Sequence, residues 1–199
     1  MPHAAQSAAG MDIVKLLMGG YGNSNGVHSE TILGAAAALA GESALLASGD
    51  PIPASGWVVS EKALGLIFNA PTSSDMTIWA IMRIVLSHQD IEVDLPDPVE
   101  VTKRVAAAVG GSPFPPLSVP QAHYPHEWSP NACPNFRLHI NNIAETHDLD
   151  RTGKAMALGF AIGYLLAKTK DTLDTKIAIT LVLEIMIGVS HMIPMSKPL

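Results

Sequence analysis

Residues 176–193 read KIAITLVLEIMIGVSHMI, and the spacing of their polar members decides what fold the chain can adopt. Lys176, Thr180, Glu184, Gly188 and His191 follow one another at steps of 4, 4, 4 and 3, which is one stripe along a helix. Leu181, Leu183, Ile185, Met186 and Val189 build a wide apolar face around it. Glu184 and His191 interrupt the run where a membrane span would be uniformly apolar, so this is a nearly buried helix of a soluble bundle. The neighbouring run Ala155 to Ala167 is uncharged, but its 13 residues reach only about 20 Å at 1.5 Å each, short of a bilayer's roughly 30 Å. No membrane partner is expected. Two helices, 151–169 and 172–192, should form the centre of the fold.

Working outward, the same periodicity predicts a helix over Pro98 to Val109. Asp97 can cap it, Pro98 suits its first position, Glu100 completes a capping box, and Gly110–Gly111 end it. Asp75 to Gln89 follows with Ser74 or Asp75 as cap and Ile78, Ile81, Met82, Val85 and Leu86 inward. On Asn135 to His147 the apolar stripe is Phe136, Ile140, Ile143 and Ala144. Ser29 to Ala47 contains GAAAALAG at 34–41, whose small side chains let another backbone approach closely. A short helix is expected over Met11 to Met18, after a flexible tail at 1–9. Gly56 to Val59 is the best strand, followed by a capped turn of helix from Ser60. The expected fold is mainly α, a single-domain multi-helix bundle with room for one short β element near 56–60.

The conspicuous break is Gly110 to Pro134, which holds seven prolines and cannot be regular helix throughout. A stretch of that length without structure of its own is unusual inside a domain. Because it carries Phe114, Leu117, Tyr124 and Trp128, it should pack across the helices as an ordered loop. One domain, 1–199, is the resulting expectation.

Composition narrows the function. The 199 residues are 48% hydrophobic and only 15% charged, against roughly 25% charged in an average soluble domain. With a mean hydropathy of +0.26, either the surface is sparsely charged or part of it is covered. A net charge of −6 gives no cationic footprint for nucleic acid, so no nucleic-acid partner is expected. A single cysteine, Cys133, excludes an internal disulfide framework and fits a reducing compartment. The amino terminus has no basic region ahead of an apolar stretch, so a cytoplasmic location is expected.

Eight histidines invite a search for metal ligands. His123, His126, Glu127, Cys133 and His139 have suitable chemistry but no standard zinc spacing, so no metal and no cofactor are expected. Asn135, His139, Asn142 and Thr146 share a helix face that solvation explains. Glu184 lies where burial would raise a carboxyl pKa, as a general acid or base requires. Its stripe also offers Lys176 and Thr180, or the bundle edge, as a simpler setting, and that setting is favoured. The run Gly19 to Gly26 precedes a helix but lacks the Lys-Ser/Thr pair of a P-loop, so it reads as a connector. His28 and Glu30, just before the alanine-rich helix, complete the polar candidates.

The segment His28-Ser29-Glu30-Thr31 running into GAAAALAG, with Pro194-Met195-Ser196-Lys197 near the end, resembles a functionally uncharacterised family of small helical bacterial proteins. That family shows a His-x-Glu-Ser/Thr segment, a Leu-Gly-Ala-Leu-Ala-Gly helix and a Pro-Met-Ser-Lys ending. Its strand and short helix would correspond to Trp57 to Phe68. Gly34 to Gly41 is more alanine-rich than the family pattern, so close packing there can differ. The resemblance implies one domain in a bacterial cytosol and brings no catalytic residue.

Two functional expectations follow. The first is a self-associating, non-enzymatic helical module, a homodimer whose interface uses the helix faces 29–47 or 151–192 or the proline-rich stretch. The alternative is a small-molecule binder or enzyme with an inter-helix pocket, its ligand unknown, using His28, Glu30 and Glu184.

Overall fold

A run of alanine and glycine can be surrounded on every side, because no long side chain holds neighbouring helices away. The computed structural model, which describes residues 4–24, 26–68, 76–91 and 95–198, is built on that fact. Its fold is all-α, with eight α-helices among the described residues. They are α1 (Ala4–Tyr21), α2 (Ser29–Ser48), α3 (Glu61–Phe68), α4 (Ile78–His88), α5 (Pro98–Ala107), α6 (Ala132–Thr146), α7 (Arg151–Thr169) and α8 (Thr175–Ser190). Two short 3₁₀ turns, Gln121–His123 and Ser129–Asn131, lie in the proline-rich connection.

The centre is α2, where every residue from Glu30 to Leu45 is buried. It packs against α7 and α8, with α3 and α6 closing its remaining sides. α1 and α4 lie against α7, and α5 lies against α8. The expected core helices, 151–169 and 172–192, are both largely buried, with α2 added between them. α7 and α8 are consecutive and both buried, yet they meet each other little because α2 packs against both. A Cβ on Gly41 would strike the Met186 carbonyl oxygen of α8, and one on Gly163 would meet Val85 of α4 at 2.7 Å. These glycines mark the closest helix approaches. The helix faces 29–47 and 151–192, expected at a dimer interface, are largely occupied inside the chain. α2 is also the one helix among the described residues long and apolar enough to cross a bilayer, and 83% of that window is buried here.

Local rules explain most boundaries. Asp150 accepts from Gly153 N at 2.6 Å, Asp174 from Ile177 N at 3.0 Å and Asp97 from Val99 N at 2.9 Å, each capping its helix. Glu100 does not close the expected capping box; it pairs with Lys103 at 2.7 Å instead. α4 starts at Ile78 with Thr77 as cap, later than expected; Ser74 and Asp75 lie outside the described residues. α1 already runs from Ala4, with Ala9 fully buried and Ser7 Oγ bonded to Tyr164 at 2.8 Å, so residues 4–9 are packed helix instead of a flexible tail. Pro134 sits inside the first turn of α6, where a missing N–H leaves no bond unmade. The β element reduces to one bridge, Trp57 opposite Met192, with Val58 N donating to His191 O at 2.9 Å; no strand occurs among the described residues. Asn23 and Gly26 exchange two backbone hydrogen bonds.

Candidate functional site

Two of the three polar candidates come together. His28 precedes α2 and Glu30 lies in its first turn, where the helix dipole favours a negative charge. His28 Nε2 approaches Glu30 Oε2 at 3.3 Å, and His123, from the 3₁₀ turn 93 residues away, reaches Glu30 Oε1 through Nδ1 at 3.0 Å. The His28 ring stacks on that of His126 with 3.5 Å between centroids. Thr31 ties the group together, accepting from the His126 backbone N–H at 3.0 Å while its Oγ1 lies 2.8 Å from His28 Nδ1.

The Thr31 hydroxyl accepts from the His126 backbone N–H and shares a second hydrogen bond with His28 Nδ1, while each oxygen of Glu30 faces a ring nitrogen of a different imidazole, Oε2 that of His28 and Oε1 that of His123. A carboxylate set between two imidazoles in this way orients both rings. Burial pushes the Glu30 carboxyl up, but the His123 hydrogen bond, its backbone bonding and the nearby His28 together hold it below the usual glutamate value. No group of three or more His, Cys, Asp and Glu side chains among the described residues is arranged to hold a metal ion.

Glu184 does not join them. It is fully buried, at 0% exposure, which corrects the bundle-edge reading of its stripe. Arg104 of α5 binds Oε1 through Nε at 3.2 Å and Nη2 at 2.6 Å, and Ser118 N donates to both oxygens at 3.1 and 3.0 Å. The carboxylate thus clamps the proline-rich connection and α5 onto α8. Farther along the same stripe, Gly188 admits Pro115, which a Cβ would meet at 2.5 Å. The polar side of α8 is the seat of the proline layer.

That layer forms a cavity of about 490 Å³ that opens to solvent, lined by residues from 113–117 and 124–130 and by Ile185 of α8. Its aromatic walls are Phe114, Tyr124 and Trp128. The Trp128 indole N–H is turned to Phe114 O at 2.9 Å and the Tyr124 hydroxyl to Leu117 O at 3.1 Å, so both polar handles are spent on loop backbone. His126 belongs to this lining and to the His28 stack at once. Glu127 also lines the cavity; its Oε1 accepts from Tyr21 OH of α1 at 2.7 Å. Burial, followed by that bond, pushes the Tyr21 hydroxyl pKa far up.

Residue-by-residue reading missed the bond of His123 to Glu30 and the stacking of His126 on His28, because nothing local records contacts across more than 90 positions. Two further signals were present, the aromatic content of 114–128 and the His-x-Glu-Thr entry to α2. No family model matches the chain, and neither curated proteins nor solved structures include a match.

Proposed function

We propose that the protein binds a small organic molecule in the cavity of the proline-rich layer, beside the imidazoles gathered on Glu30. The observation that carries this reading is the position of His126, shared by the cavity wall and the His28 stack. The volume, about 490 Å³, lies in the usual range for ligand sites, and the mixture of aromatic walls with a few convergent polar groups is what such sites use. The layer is held rigidly for the purpose. Glu184 fixes Ser118, Gly188 seats Pro115, and the indole of Trp128 closes the loop on itself.

A larger hollow of about 810 Å³ lies between α3, α5 and the end of α2, but its lysines, Lys62 and Lys103, already pair with Asp50 and Glu100. It brings no imidazole to an apolar wall. A fragment screen on isotope-labelled protein, read by amide chemical shifts, tests the assignment. Ligands should move the amides of 114–129 together with His28 and Thr31. Shifts confined to α3 and α5, or none from any fragment, would overturn it.

A further inference from the structure

The cavity's chemistry is selective about charge. Among the described residues that line it, Glu127 is the one carboxylate, and no lysine or arginine belongs to the lining. Its Oε2 takes no hydrogen bond from any described residue, since the Tyr21 hydroxyl engages Oε1 alone. Three of the chain's ten Phe, Trp and Tyr residues line this one space. Because the indole N–H and the Tyr124 hydroxyl bond to loop carbonyls, carbon surface is what Trp128 and Tyr124 offer a ligand.

Aromatic rings carry negative charge on their faces, and rings beside one carboxylate, with no lysine or arginine among them, form an environment that favours a diffuse positive charge. An anion would meet Glu127 without a counter-charge. A neutral ligand would fill the space but gain nothing from that carboxylate, which is exposed and already accepts from Tyr21. A compact ammonium ion with methyl groups satisfies both requirements, since its carbon shell fits apolar walls and its charge answers Glu127. Resting on the small-molecule reading above, we infer that the ligand class is an alkylated organic ammonium, seated against Trp128 and Tyr124 with its charge toward Glu127.

The test compares choline with its neutral isostere 3,3-dimethyl-1-butanol, titrated against the full chain by calorimetry and by amide chemical shifts. Choline should bind about tenfold tighter or more, and Glu127→Gln, an exposed change, should reduce that preference about threefold. Tyr124→Leu, which leaves the carboxylate in place, should weaken choline more than the alcohol. Equal or tighter binding of the alcohol would overturn the cation assignment while leaving a small-molecule cavity. Absence of any shift at 114–129 with either probe, joined to a failed fragment screen, would sink both readings. Retained choline preference in Glu127→Gln and Tyr124→Leu alike would also overturn it, by placing the cation elsewhere.

Discussion

One helix, α2, carries two buried glutamates that are held in opposite ways. At its carboxyl-terminal half, Glu42 receives a two-pronged grip from Arg137, Nε at 2.7 Å and Nη2 at 2.6 Å, and the same Nη2 reaches Met195 O at 2.7 Å. At its amino-terminal end, Glu30 is met by two imidazoles, and by no arginine. Guanidinium keeps its charge at every pH a protein survives, whereas imidazole gains and loses one in the physiological range. The glycines divide in the same way. Gly41 lies against the backbone of α8, while Gly34 lies against side-chain ends, Ser129 Oγ, Ile185 Cδ1 and Pro125 Cγ. The difference teaches that one half of α2 is a joint gripped by a guanidinium and set against backbone, and the other meets a loop layer through imidazoles and side chains.

The largest expected effect lies at the joint. Arg137→Ala leaves the Glu42 carboxylate buried without its partner and releases the carboxyl-terminal segment at Met195, so stability should fall by about 3 kcal/mol. Urea unfolding measures it, and a loss under about 1 kcal/mol would mean the pair is not the fixed element described.

Next come the glycines. Gly41→Ala must displace backbone and should cost about 2 kcal/mol even after the gain in helix propensity. Gly34→Ala meets side-chain atoms, the buried Ser129 Oγ foremost, so after the same propensity gain of about 1 kcal/mol it should cost less than Gly41→Ala, about 1 kcal/mol. Equal losses in the two variants, seen by thermal unfolding, would erase the contrast.

The smallest effect sharpens the contrast through pH. Glu30 has its pKa depressed in the folded chain, so its contribution is present above the ordinary value of 4.5 and disappears as pH falls through the folded value. Glu30→Gln should therefore cost about 1 kcal/mol at pH 7, and the gap from the parent should close as pH drops below 4.5. A gap that stays constant down to acid unfolding would show that packing, and not charge, makes the difference.

Much of the fold was legible in the residues. The 3.6-residue stripe of α8, the Asp97 and Pro98 start of α5 and the ordered, aromatic-bearing proline stretch are local facts, set by backbone geometry and caps. Where the reading erred, the missing term was a distant neighbour. The stripe sets Glu184 beside Lys176 and Thr180 or at the bundle edge, yet it is fully buried and its partner is Arg104, 80 positions away. The amino-terminal tail became helix because α7 offers Tyr164 to Ser7 and a close seat to Gly10, where a Cβ would meet Phe160 Cβ at 2.7 Å.

By itself the sequence determined that the chain would be helical, that Ala- and Gly-rich α2 could be surrounded, and that residues 110–134 would hold apolar rings against something. Periodicity and side-chain volume act over a few residues, so a single strand of text records them. Only the tertiary structure decided that α2 lies between α7 and α8, that His123 and His126 close over His28 and Glu30, and that Glu184 clamps a loop. Those outcomes rest on which buried charges find counter-charges and which backbones fit closest, and such pairings exist only once separate segments share one interior.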